Sequence, residues 1–158
     1  MNRPLDERVK GQEGLSQVKD PKGDKKIVLV ADDDADDCLL IKDALIDNGL
    51  DWDALFVGDG IELMEYLEDC DRRGKRSIDC IPNLIILDLN MPRKGGREAL
   101  REICVNTRFN KIPIVILTTS DEPHDMELCS SLGARRFITK PTMYTDWLEK
   151  VGDLKEFI

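Results

Sequence analysis

Four short stretches carry residues whose types could do chemistry. Asp32, Asp33 and Asp34 directly follow the apolar run ending at Ala31, and Asp88 ends the run Leu84 to Leu87, before Leu89-Asn90-Met91-Pro92. Thr118, Thr119 and Ser120 close the run IPIVIL, and Lys140-Pro141 closes RRFIT. Each has a plain explanation alone: Asp caps helices, Thr caps turns, and a lysine before proline sits on a surface. Together they give carboxylates, hydroxyls and one ammonium. Carboxylates gathered within a few ångströms repel unless a cation joins them, and Lys140 brings one positive charge. A hard divalent ion with oxygen ligands, Mg²⁺ above all, is the natural complement. Beside it an aspartate can attack phosphorus as a carboxylate nucleophile. Positioned cations and donors then stabilise the equatorial oxygens of the transferring group.

The elements that would bring these stretches together are legible as alternating patterns. Residues 1 to 24 are polar, with three glycines, two prolines and no sustained periodicity, and read as a tail preceding a domain over 25–158. KKIVLVA lacks alternation, as expected of a strand covered on both faces. A helix is predicted from Asp36 to Asn48, with Leu40, Ile41, Ala44 and Leu45 inward and Gly49 ending it. WDALFV is a second strand, and Asp59 can cap a helix bearing Ile61, Leu63, Met64 and Leu67. Glu68 to Pro82 reads as a helix end and a loop, and NLIILDL as a strand. A helix over Gly96 to Asn106 turns Ala99, Leu100 and Ile103 inward, before the strand IPIVILT. Pro123 suits the first turn of a helix that Gly133 ends. RRFIT is a short strand, and the last helix is predicted to bury Tyr144, Trp147, Leu148, Val151 and Leu154.

Five strands alternating with five helices predict one α/β domain, a parallel sheet with helices on both faces. In such a sheet ligands bind at the carboxyl ends of the strands, where the strand order reverses. All four stretches lie at strand ends. The fifth helix closes the chain, so no attached output domain is expected.

Composition narrows the function. A net charge of −9 argues against a nucleic-acid partner. The apolar runs are too short to span a bilayer, and MNRPLDERVK holds no signal-like stretch, which predicts a cytoplasmic protein without membrane association. The five cysteines are scattered, with no C-x-x-C and a single histidine, so they are expected to be reduced packing residues rather than zinc ligands. His124, Trp52 and Trp147 are read as structural, not catalytic.

The ordered motifs VLVADDD, LIILDLNMP, IVILTTS and FITKP resemble those of the response-regulator receiver family, over a stretch from about Lys26 to the C-terminus. The resemblance implies a flavodoxin-like (βα)₅ fold with strand order 2-1-3-4-5. It also implies phosphorylation of Asp88 by a sensor histidine kinase in a Mg²⁺-dependent relay. Asp33, Asp88 and the Asn90 backbone carbonyl would ligate the metal, with Asp32 acting through water. Thr118 and Lys140 would serve the phosphoryl group and Thr119 would contact it. Thr118 and Phe137 would form the switch, and Lys140–Pro141 would be cis. Such proteins catalyse only their own phosphorylation and dephosphorylation. The segment before the third strand, LDLNMPRKGGREAL, VILTTSDEP and the closing WLEKVGDLKEF resemble stand-alone regulators paired with bacterial phytochromes. A phosphotransfer protein and a homodimer are the further partners this implies. Against an aspartyl-phosphate phosphatase of the haloacid-dehalogenase type stands Asn90, where a second acid would be needed. Against a nucleotide-binding scaffold stands the lack of a glycine-rich loop after the first strand.

Overall fold

The computed structural model describes residues 25–73 and 80–158; the predicted tail over 1–24 and part of the loop before the third strand lie outside them. Strands β1 (Ile27–Ala31), β2 (Asp53–Val57), β3 (Leu84–Leu87), β4 (Ile114–Thr118) and β5 (Arg136–Thr139) alternate with helices. These are α1 (Ala35–Asp47), α2 (Gly60–Arg72), α3 (Gly96–Val105), α4 (Pro123–Ser131) and α5 (Tyr144–Asp153), the last running into a 3₁₀ turn, Leu154–Phe157. The strands form one sheet of order β2-β1-β3-β4-β5, every pairing parallel. The predicted order 2-1-3-4-5 is the one observed.

Alternate side chains of each central strand feed opposite faces. Leu29, Ile85, Leu87 and Ile116 pack with Leu63, Leu67, Leu100 and Ile103 of α2 and α3. Val28, Val30, Ile86 and Val115 pack with Ile41, Leu45, Trp147 and Val151 of α1 and α5. Burial on both faces is why the central strands read as continuous apolar runs. Helix ends follow the predicted punctuation. Gly49 at φ 70° and Gly133 at φ 91° adopt the left-handed conformation just past α1 and α4, where a Cβ would be strained. Tyr144 departs from expectation. It is exposed, and its hydroxyl donates to Asp47 Oδ2 at 2.7 Å, because a phenol with a carboxylate in reach gains more at the surface than in the core. All five thiols are free, and Cys70 and Cys129 are buried.

The loop from Asn90 to Gly95 is clamped from two sides. Gly60 N donates to Lys94 O at 2.8 Å, and Gly96 N donates to Leu89 O at 3.0 Å. Arg93, at φ 60°, is held by its guanidinium on the buried Asp59 carboxylate, Nε to Oδ2 at 2.6 Å. Hydrogen bonds from Glu62 N and Arg93 hold the Asp59 carboxyl below its ordinary range. At Gly96 the start of α3 crosses the backbone of Asp88 so closely that a Cβ would lie 2.1 Å from the Asp88 carbonyl oxygen. Backbone on both sides leaves nothing flexible to yield. Gly96→Ala should therefore lower unfolding stability by about 1–3 kcal/mol in urea titrations, the usual cost of overpacking. A variant as stable as the parent would refute this close approach.

Candidate functional site

Beyond the carboxyl ends of β1, β3 and β5, three loops and the first turn of α1 bring four aspartates around one lysine. The tight turn after β1 is shaped by its own acids. Asp32 Oδ1 accepts from Asp34 N at 2.9 Å, while Asp34 caps α1, accepting from Asp36 N at 2.9 Å and Asp37 N at 3.2 Å. In the run Asp32-Asp33-Asp34, the third acid is thus spent on the helix and the first two face the site. Asp88 N donates to Ala31 O at 2.9 Å, extending the β1–β3 pairing by one residue and holding the two acidic turns side by side. Asn90 N donates to Asp88 Oδ1 at 3.2 Å.

Lys140 enters from β5, anchored by its own N–H to Thr118 O at 2.7 Å. Its Nζ lies 2.8 Å from Asp32 Oδ2, 2.6 Å from Asp37 Oδ2 and 3.1 Å from Asp88 Oδ2. The ammonium is 7% exposed and the Asp32 and Asp88 carboxylates 2% and 6%, so water does little to screen them. Burial works against the Lys140 charge, but the hydrogen bonds to Asp32 and Asp37 outweigh it and raise its pKa well above the ordinary value. Burial raises the Asp32 carboxyl, and Lys140 only partly offsets this. The ammonium therefore stays charged, and the excess of negative charge falls on the acids around it.

Asp32, Asp33 and Asp88 each offer a carboxylate oxygen, and these atoms lie within 4.8 Å of one another. Carboxylates at such spacing, two buried and one open to solvent, with more anionic charge than one ammonium can balance, are a donor set that fits a hard divalent cation. Asn90, two residues after Asp88, is exposed.

The remaining predicted residues lie on β4, the loop after it and β5. Thr118 is fully buried at the end of β4, its Oγ1 accepting from Ser120 N at 3.4 Å. Thr119 is exposed and lines, with Asn90, Arg97 and His124, a cleft of about 440 Å³. Phe137, partly buried on β5, packs against the core on the α3 face. The expected cis bond is a correction: no peptide bond among the described residues is cis, and Lys140–Pro141 is trans, the isomer X-Pro bonds favour by about 0.5–1 kcal/mol.

Two features escaped the sequence. Asp37, in the first turn of α1, lies 2.6 Å from Lys140; its position four residues after Asp33, behind a capping Asp34, was the available signal. The other links α3 to α4. Arg97 grips the buried Asp125 carboxylate through Nε at 2.7 Å and a terminal nitrogen at 2.6 Å, and Ser120 Oγ donates to the same group at 2.6 Å. Nothing in the chain marks residues so far apart as partners.

A model of the response regulator receiver domain matches residues 28–151. Among curated proteins the chain is similar to Response regulator Rcp1 of Synechocystis sp., 31% identical over 140 residues, spanning 89% of this chain and 93% of the relative. It is also similar to the solved structure of the phosphorylated cyanobacterial phytochrome response regulator RcpA, with a TM-score of 0.74 and 33% identity over 84% of this chain and 93% of that one. The Mn²⁺-bound form of Rcp1 gives a TM-score of 0.71 and 32% identity, covering 84% of this chain and 93% of that one.

Arg97 and Ser120 hold Asp125 down at about 2, below the ordinary 3.8. A carboxyl depressed on folding stabilises the native state above its unfolded pKa and loses that contribution as pH falls through the folded value. Relative to Asp125→Asn, the native protein should be about 2 kcal/mol more stable at neutral pH. The difference should vanish between roughly pH 4 and pH 2. Urea unfolding of both proteins across that range is the check; a difference independent of pH would show that the carboxylate charge contributes nothing.

Proposed function

The chain belongs to the response regulator receiver domain family and is a response regulator of two-component signalling, and from that premise we propose that Asp88 accepts a phosphoryl group from a sensor histidine kinase, with Mg²⁺ held in the acidic cup. The observation that carries this reading is the meeting of Asp32, Asp33, Asp88 and Lys140 at one end of the sheet.

In this reading Asp33, Asp88 and the Asn90 carbonyl would hold the metal, and Asp32 would contribute through water. The metal, when bound, would neutralise charge on the transferring oxygens. Asp88 Oδ2, the oxygen facing Lys140, and Oδ1, fixed by Asn90 N, leave the carboxylate with little freedom to rotate, so the nucleophile is oriented before the donor arrives. One Asp88 oxygen forms a bond to phosphorus, and the bond from phosphorus to the donor nitrogen breaks. Lys140 is close enough to Asp88 to follow the incoming oxygens, and in this reading Thr119 and the Thr118 hydroxyl supply further donors. The chain acts on itself alone, accepting and losing one phosphoryl group.

Thr118 and Phe137 form the switch. Drawing the Thr118 hydroxyl toward the phosphoryl group would break its contact with Ser120 N and shift the loop that follows β4. Phe137 would then turn into the space, changing the face of α4, β5 and α5. Met126 and Met143 are exposed there, which suits a surface read by a partner or a second copy of the chain. The likeness to the phytochrome regulators supports a bacterial phytochrome as the kinase, and onward transfer to a phosphotransfer protein fits the same chemistry. We assign residues 25–158 to the receiver and place it in the cytoplasm; among the described residues no helix is long and apolar enough to cross a membrane.

Incubation with acetyl phosphate and Mg²⁺ should add a single phosphoryl group by intact-protein mass, lost on chelation of the metal and absent in Asp88→Asn. Lys140→Met should slow labelling by at least about a hundredfold, the scale of losing one positioned charge at a transition state. Undiminished labelling of Asp88→Asn would remove that residue from its role.

A further inference from the structure

Lys140 has three carboxylate partners, and the nearest, Asp37 at 2.6 Å, lies outside the trio spaced to hold a metal. An acid in the first turn of a helix ordinarily needs no explanation beyond the dipole. Here the Asp37 carboxylate is only 18% exposed and reaches across to a lysine 103 residues away on another element. Its backbone N–H is fixed by the Asp34 cap, so the side chain leaves the helix at a set point. Asp32 Oδ2 and Asp88 Oδ2, the two oxygens that Lys140 also touches, belong to the same carboxylates that would serve a divalent cation. Lysine and metal therefore compete for one set of charges.

We propose that Asp37 is a positioning residue that draws the Lys140 ammonium to one side of the cup and so keeps Asp32 and Asp88 available to the divalent cation. The inference rests on the reading of the cup given above and adds a residue to it. With Asp37 neutral, three consequences share one sign. The cup loses a negative charge, the Lys140 charge is less compensated, and the ammonium settles on Asp32 and Asp88. Each weakens a cation in the cup. An ammonium moved from about 8 Å to about 4 Å from a divalent ion, screened nearly as in water, weakens the ion's binding on the order of tenfold.

The test is Mn²⁺ binding to the full chain, followed by the electron paramagnetic resonance signal of free Mn²⁺. Asp37→Asn should bind Mn²⁺ about tenfold more weakly, and Asp37→Glu should regain most of the loss. Asp37→Ser gives the same reading should the Asn variant fail to fold. The Mg²⁺ concentration for half-maximal labelling by acetyl phosphate should rise in parallel, most of the rate returning at saturating Mg²⁺. In a Lys140→Met background the Asp37→Asn effect should shrink to about threefold or less, because the residue acts through the lysine. Unchanged or tighter Mn²⁺ binding by Asp37→Asn would overturn the proposal, as would an effect of equal size without Lys140, which marks a mere charge effect. Wild-type protein that took up no Mn²⁺ would overturn the reading of the cup itself, and this one with it.

Discussion

One buried ammonium surrounded by carboxylates sets the terms for everything at this end of the sheet. Lys140 lies within 3.1 Å of Asp32, Asp37 and Asp88, and Asp33 stands close by. A charge so far from water is tolerable only when it is paired and hydrogen-bonded. The lysine needs the acids, and the acids outnumber it. Under the proposed function, that imbalance is what suits the pocket to a divalent cation and then to a phosphoryl group.

Such a pocket works only if its walls are rigid. Parallel pairing of β1 with β3 places the acidic turns next to each other, and the Asp88 N–H to Ala31 carbonyl bond carries that pairing to the site's floor. The loop after Asp88 is held by Gly60 on one side and Gly96 on the other, both at distances that admit no side chain. Arg93 keeps its left-handed backbone because its guanidinium meets Asp59. The glycines and the strained arginine are scaffolding for the loop that follows Asp88. Opposite, the β4–α4 connection is tied by Ser120 and Arg97 to Asp125. The Asp88 loop and the β4–α4 connection are thus each tied in place by contacts of their own.

Small departures from expectation share a cause. Tyr144 fits an apolar stripe, yet its hydroxyl found Asp47 at the surface. Asp37 fits a solvated helix start, yet it serves the lysine. A polar group's role is decided by which partner lies within about 3 Å, and pattern carries no such distance.

The chain's order of residues was enough to determine the five strands, their helices, the parallel sheet and the placement of Asp32, Asp33, Asp88, Thr118 and Lys140 at strand ends. Burial on two faces writes continuous apolar runs, and helix ends write glycine and capping acids. Folding alone decided which acids share the lysine, that Arg97 meets Asp125, and that Gly96 lies against the Asp88 carbonyl. Those contacts join residues whose separation along the chain has no period, and they exist only once the sheet has fixed the distance between its edges.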